Sequence, residues 1–181
     1  RQSGAEGRAP IAFAPRNRPS ALAALLGLIA GRRSIRMMQV YQSGEALARN
    51  FARIGASVLV AAQEDFSPEV VQQLRELGCA GIALTEQGAD FAAGLDRVTG
   101  PADPASPASP TFEMLTSGTT GAAKLWPLTY ELLERRFVHG NSVFGEGALA
   151  NAPPILLCYP LCNISGLYSA VPAMVSGIPI V

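Results

Sequence analysis

Residues 57–84 read SVLVAAQEDFSPEVVQQLRELGCAGIAL, and this stretch decides the fold. Ser57 to Ala61 is an unbroken run of small and β-branched residues, the pattern of a strand buried on both faces. Ser67-Pro68-Glu69 then supplies an N-cap hydroxyl, a proline in the first turn and an acid near the positive end of a helix. Val70, Val71, Leu74 and Leu77 follow at helical spacing, Gly78 closes the helix, and Ala80 to Leu84 is apolar again. Strand, helix and strand in such short order make a crossover between parallel strands. Glu64 and Asp65, just ahead of the helix, read as capping or solvated acids.

The same alternation extends toward the N-terminus. Ser43 starts a helix with Leu47, Phe51 and Ile54 on one face and Gly55 at its end. Ile11 to Ala14 is a first strand. Behind it Pro19-Ser20 starts a helix with Ser20 as N-cap, a buried stripe of Leu22, Leu25, Leu26 and Ile29, and Gly31 as its stop. The expected class is α/β: successive βα units, a largely parallel sheet and helices on both faces.

Toward the C-terminus the composition changes. Thr99 to Pro110 is rich in Pro, Ala and Ser, and its prolines deny regular hydrogen bonding. The expected organisation is a first βα subregion over 1–98, an extended connector over 99–110 and a second subregion over 111–181. In the last, Thr111 to Leu115 has strand character. Thr129 can cap a helix running through Arg136 and beyond, with Leu132, Leu133 and Phe137 on its apolar side. Ile155 to Tyr159 reads as a buried strand, Ile164 to Ser176 as an apolar helix or irregular segment, and Ile178 to Val181 as the start of a strand.

Between the strand at 111–115 and the helix capped by Thr129 lies Thr116-Ser117-Gly118-Thr119-Thr120-Gly121-Ala122-Ala123-Lys124, which ends on the only lysine of the chain. Glycines allow backbone N–H groups to converge, the hydroxyls add donors and the ammonium adds a point charge, so the run is chemically an anion cradle. A Walker loop requires glycine just before the lysine and Ser or Thr just after it; Ala123 and Leu125 stand there, and the template fails twice. A flexible linker of Ser, Thr and Gly is the bland alternative, and ordered elements on both sides argue against it.

The run resembles the phosphate-binding signature T-S-G-T-T-G-x-x-K of the adenylate-forming superfamily of acyl- and aryl-CoA ligases, luciferases and peptide-synthetase adenylation domains. Pro127-Leu128-Thr129 stands where that family often has an apolar stretch and Thr-His, with Tyr130 in the histidine's place. The resemblance implies an ATP-dependent ligase that activates a carboxylic acid as acyl-adenylate, releases pyrophosphate and passes the acyl group to a thiol, coenzyme A or a carrier. It implies that Thr116, Ser117, Gly118, Thr119, Thr120 and Gly121 contact phosphate oxygens together with Mg2+, and that Lys124 pairs with the outer phosphates as the catalytic cation. Pro160-Leu161-Cys162-Asn163-Ile164-Ser165-Gly166 resembles the family's P-L-x-H-x-x-G segment, which implies a place for Asn163 and Gly166 in the substrate pocket. Asn163 replaces the histidine, and an amide cannot titrate near neutrality. Read structurally, the same Pro, Ser and Gly simply end a strand and turn the chain.

Composition sets the outer bounds. At 181 residues, 49% hydrophobic and 15% charged, the chain has the makeup of a globular protein. Its 14 cationic and 14 anionic side chains cancel, so no global field favours nucleic acid or anionic lipid. Cys79, Cys158 and Cys162 are odd in number, and the apolar run Ala21–Ala30 is too short for a bilayer and lacks a cleavage pattern, which together point to a cytoplasmic protein. The cysteines read as buried small hydrophobes, with no partners to complete a metal site. His139 reads as a surface or helix-end residue, and Trp126 as packed on the following helix in preference to stacking on a nucleotide base. Both ends of the chain look cut, and the acid for magnesium, the aspartate for ribose and the second lysine that the resemblance implies are not found. The expectation is an N-terminal fragment, inactive alone, that works with the remainder of its domain and a mobile C-terminal domain. The alternatives are a non-catalytic nucleotide- or anion-binding module and a folded scaffold with a vestigial loop.

Overall fold

The computed structural model describes residues 10–100, 110–115, 125–137 and 152–181. The strands are β1 (Ile11–Ala14), β2 (Ile35–Met37), β3 (Val58–Ala62), β4 (Ala80–Leu84), β5 (Ala89–Phe91), β6 (Thr111–Leu115) and β7 (Leu125–Thr129). The helices are α1 (Pro19–Ala30), α2 (Gly44–Ile54), α3 (Pro68–Glu76), α4 (Tyr130–Phe137) and α5 (Ile164–Val175). One seven-stranded sheet in the order β5-β4-β3-β1-β2-β6-β7 holds them together. The inner pairs are parallel, while β5 and β7 run antiparallel at the two edges.

Alternate residues of the central strands face opposite helical layers, as the pleat requires. Ile11, Phe13, Ile35 and Val60 pack with Ala21 and Leu25 of α1, Leu133 of α4 and Leu167 of α5. Ala12, Ala14, Leu59 and Ala61 pack with Leu47 and Phe51 of α2 and with Val70 and Leu74 of α3. Both faces are covered, so β3 is buried along its whole length, as its run of apolar residues predicts.

α2 matches its sequence signals: the Ser43 hydroxyl accepts from the Ala46 N–H at 3.3 Å, and Gly55 closes the helix at φ 60°. Four expectations are corrected. α1 starts at Pro19 with Arg18, not Ser20, at the N-cap, because proline already suits the first helical position; its Leu26 is exposed, and Ala21 takes the buried place. Ser67 occupies the N-cap of α3, yet its hydroxyl donates to the Glu69 carboxylate at 2.5 Å instead of capping the backbone. Leu77, expected on the buried stripe of α3, lies past its last turn and is exposed. Residues 155–159 form no buried strand; Ile155 makes a lone parallel bridge with Ile180, while Leu156 and Tyr159 are exposed.

Three strands have no counterpart in the sequence reading. β2 is three residues long with a charged centre, so no apolar run marks it. It is stable inside the sheet because Arg36 Nε donates to Glu113 Oε2 at 2.6 Å, in register across β2 and β6, while Arg36 Nη1 serves the last carbonyls of α2 at Ile54 and Gly55. β5 is wholly exposed, and β7 contains Pro127, which an edge strand tolerates. No helix of the described residues is long and apolar enough to cross a membrane.

Candidate functional site

Ligands of parallel α/β sheets bind beyond the carboxyl ends of the strands, where successive connections leave toward opposite sides. Here the chain leaves β1 through α1 on one face and β3 through α3 on the other, so that point lies between β1 and β3. Arg16, just past β1, and Asp65, just past β3, bridge it: Nη2 to Oδ1 is 2.6 Å and Nε to Oδ2 is 3.1 Å. Glu64 lies 3.4 Å from Arg16 Nε and 2.6 Å from Arg18 Nη2. The hydrogen bond to Asp65 raises the affinity of the Arg16 guanidinium for its proton, against the desolvation of partial burial. The reading of Glu64 and Asp65 as caps or solvated acids is thereby corrected: the Asp65 side chain is only 5% exposed, and both acids are ion-paired.

Asn17 lies next to this bridge. Its Nδ2 donates to the carbonyls of Leu157 at 3.1 Å and Tyr159 at 3.0 Å, and its Oδ1 accepts from the Leu161 N–H at 2.9 Å. One amide therefore holds the irregular segment 157–161 against the carboxyl end of β1. The segment then turns: the Asn163 N–H returns to the Pro160 carbonyl at 2.9 Å, and α5 starts at Ile164. Gly166 is required by that turn. A Cβ there would meet the Pro160 carbonyl oxygen, with Pro160 C at 2.6 Å and Leu161 Cα at 2.9 Å.

The turn places Asn163 over the end of β2. Gln39, two residues beyond β2, donates from Nε2 to Asn163 Oδ1 at 2.7 Å. Cys162, 3% exposed, has Sγ 3.3 Å from Gln39 Oε1 and 3.8 Å from Asn163 Oδ1. Burial pushes the Cys162 thiol up, outweighing hydrogen bonds from the backbone of Val40 and of Cys162 itself, so it keeps its proton at neutral pH. β6 ends beside β2, with Met37 paired to Met114. Leu115, the last residue of β6, is paired with Leu125, the first of β7, and these two residues bracket the hydroxyl-rich run.

Of the residues singled out in the sequence, Thr116, Ser117, Gly118, Thr119, Thr120, Gly121 and Lys124 lie outside the described residues, as does His139. Their flanking strand ends sit at the same carboxyl edge to which Gln39 brings Asn163. Tyr130, in the histidine's place of the resemblance, lies instead near the amino ends of β2 and β6. Its hydroxyl donates to the Arg33 carbonyl at 2.6 Å, its ring meets Phe112 edge-on at 5.2 Å, and burial pushes its pKa up to about 12. The Thr129 hydroxyl accepts from the Leu132 N–H at 3.1 Å, as a cap should. Trp126 is 63% exposed on edge strand β7, uncovered by any helix of the described residues, so its expected packing is corrected. Cys79 and Cys162 are buried as expected, whereas Cys158 is exposed because the segment carrying it is not a core strand. Among the described residues no group of three His, Cys, Asp or Glu is gathered to hold a metal ion.

An apolar cavity of about 290 Å³ opens between α1, α4 and α5, lined by Ile29, Phe112, Tyr130, Leu167 and Val171. It lies toward the amino ends of the strands, on the far part of α5 from Asn163, and so away from the edge just described. Arg16, Asn17 and Gln39 are not singled out by the sequence, and Asp65 reads there only as a capping or solvated acid. Arg16, Asn17 and Asp65 share one signal, a polar residue within three positions of the end of an apolar strand, which is where a parallel sheet gathers its site; Gln39 lacks it, because β2 has no apolar run.

The family model described as AMP-binding enzyme matches residues 1–181. The chain is 28% identical over 170 residues to the medium/long-chain-fatty-acid–CoA ligase FadD6 of Mycobacterium tuberculosis, spanning 89% of this chain and 27% of that protein. Among solved structures it is similar to ATP-bound MatB from Rhodopseudomonas palustris, with TM-score 0.69, 14% identity, and coverage of 98% of this chain and 35% of that one. It is likewise similar to the O-succinylbenzoate coenzyme A synthetase of Bacillus subtilis in complex with ATP and magnesium, with TM-score 0.65, 17% identity, and coverage of 95% and 34%. The two structural likenesses establish the α/β fold, and the chain spans about a third or less of the length of each of these proteins.

Proposed function

Because the chain belongs to the AMP-binding enzyme family, we propose that it carries the phosphate grip and part of the acid pocket of an ATP-dependent carboxylic acid–coenzyme A ligase. In that reaction a carboxylate oxygen attacks the α-phosphorus of ATP and pyrophosphate leaves. A thiol then attacks the acyl carbon and AMP leaves. The first step builds charge on the leaving pyrophosphate, which preorganised donors at that position stabilise.

The hydroxyls of Thr116, Ser117, Thr119 and Thr120 and the backbone N–H groups of Gly118 and Gly121 supply those donors, and Lys124 supplies the cation for the outer phosphates. The observation that carries this reading is the Leu115–Leu125 pairing, which brings both ends of the run to the carboxyl edge of the parallel sheet, beside the strand whose Gln39 holds Asn163. The loop's hydroxyl oxygens belong to the hard donor class that magnesium takes. Magnesium, when bound with the nucleotide, neutralises part of the phosphate charge.

The protein made from its complete reading frame, assayed for pyrophosphate release with ATP and a panel of carboxylic acids, tests the proposal. Medium- and long-chain fatty acids come first in the panel, on the activity named for the 28% identical relative. Acid-dependent pyrophosphate release, followed by CoA-dependent AMP release, is expected. ATP binding with no release for any acid would favour a non-catalytic nucleotide-binding module. The 181 residues alone are expected to form no acyl-adenylate, because the ribose aspartate, the magnesium acid and the second lysine are not among them; acyl-AMP made by the isolated chain would overturn this.

A further inference from the structure

Asn163 sits at the N-cap of α5, with φ −103° and ψ 155°, where an asparagine side chain normally accepts a hydrogen bond from the first turn. It makes no such cap. Its Oδ1 is instead turned to Gln39 Nε2 at 2.7 Å. Gln39 is fixed in turn from its other side, where its Oε1 lies 3.3 Å from Cys162 Sγ. A thiol that keeps its proton donates to an oxygen much better than its sulfur accepts from an amide, so Cys162 selects the Gln39 rotamer with Oε1 toward sulfur and Nε2 toward Asn163. The Gln39 N–H then selects the Asn163 rotamer with Oδ1 inward. The remaining group, Nδ2, has two donors with no partner assigned by these contacts.

We propose that Gln39 is a positioning residue that locks the Asn163 carboxamide as a pure donor, so that Nδ2 binds an oxygen of the substrate carboxylate and of the acyl phosphate formed from it. This rests on the adenylation reading above. The Cys162–Gln39–Asn163 relay does by hydrogen-bond direction what a protonated ring does by charge: it presents N–H to an oxygen and rejects a ligand that offers N–H instead. Helix capping is given up to keep that orientation.

The test compares Gln39→Glu with Gln39→Leu in the protein made from the complete reading frame. Glutamate nearly matches glutamine in shape but can only accept, so it turns the Asn163 amide around and points Oδ1 outward. Leucine removes the Gln39 donor and leaves Asn163 Oδ1 only the weak Cys162 thiol at 3.8 Å. Gln39→Glu is expected to lower kcat/KM for the acid by about tenfold or more, with KM for ATP within about twofold of wild type, and to be worse than Gln39→Leu. A simple packing role predicts the reverse order, with leucine worse, and that order would overturn the proposal; so would equal losses for acid and ATP.

The side-chain amide resonances give a second readout that needs no turnover. The Asn163 Nδ2 pair, assigned by its disappearance in Asn163→Asp, is expected to move downfield in Gln39→Glu as it starts to donate to the carboxylate. An unmoved pair would overturn the orientation. Absence of pyrophosphate release from the wild type with every acid would sink the adenylation reading, and the amide spectrum would still decide the role of Gln39.

Discussion

Replacing Asn17 by alanine should free the segment that carries Asn163 while leaving the sheet intact. The side chain makes three hydrogen bonds, to the Leu157 and Tyr159 carbonyls and from the Leu161 N–H. They are not equivalent. Tyr159 is 57% exposed and Leu157 half-buried, so water replaces the amide at those carbonyls and each loss costs about 0.5 kcal/mol or less. Leu161 is 0% exposed, and its N–H loses its partner outright, at about 1–2 kcal/mol. The total is about 2 kcal/mol, confined to residues 155–163. Native-state hydrogen exchange reads this directly: the Leu161 and Asn163 amides should exchange about thirtyfold faster, while amides of β1, β3 and β4 keep their protection. Asn17→Asp retains the acceptor for Leu161 but sets a carboxylate against two carbonyls, and should fall between. A Leu161 rate changed by less than about threefold, or a loss shared equally by the central strands, would refute the claim that this one amide clamps the segment.

Lys124→Ala should lower acid-dependent pyrophosphate release or weaken ATP binding by about tenfold or more in the protein made from the complete reading frame; unchanged nucleotide affinity and rate would remove the loop from the reaction. Gly166→Ala forces a methyl onto the Pro160 carbonyl, and since the obstacle is backbone, the turn must open at a cost of about 1–3 kcal/mol, measured by urea unfolding. Tyr130→Phe loses the bond to the Arg33 carbonyl, about 1 kcal/mol. The same tyrosine gives a pH signature. Its folded-state pKa is raised to about 12 from an ordinary value of 10.0, so its contribution is complete below pH 10 and is lost as pH climbs from there toward 12. Wild type should therefore lose stability relative to Tyr130→Phe across that window, and parallel pH profiles would contradict the burial of its hydroxyl.

The sequence made most of the fold legible because its helices and long strands carry redundant signals. α2 has a capping serine, an apolar face and a terminal glycine, and all three agree with the structure. β3 and β4 are runs too apolar to lie anywhere but inside a covered parallel sheet. Where signals were single, they failed. β2 has three residues and depends on Arg36 reaching Glu113 and the end of α2, contacts made with residues 18 to 77 positions away. Residues 155–159 have the composition of a core strand, but they pair only through a short parallel bridge to residues 179–181 and are held to the sheet by the side chain of Asn17. The hydroxyl-rich run carries its proposed chemistry in its residue types alone, whereas Gln39, which holds Asn163, has no local pattern, since an amide in a loop has none.

The placement of the candidate site follows from how the sheet's own switch point is filled. Arg16, Asp65, Glu64 and Arg18 close the gap between β1 and β3 with ion pairs, and the Asp65 carboxylate there is nearly sealed from water. A buried pair of this kind adds little net stability, yet removing either partner alone strands a charge. Its effect is therefore to fix geometry: it ties the turns after β1 and β3 together and holds Asn17 beside them. Asn17 clamps 157–161, the turn at Gly166 aims the start of α5, and Gln39 at the end of β2 receives Asn163. The segment that carries Asn163 is thereby set against the carboxyl end of β2, beside β6, whose last residue precedes the hydroxyl-rich run. In this arrangement the ion-paired switch point serves as the foundation of the candidate site, and Asn163 and Gln39 stand on its flank.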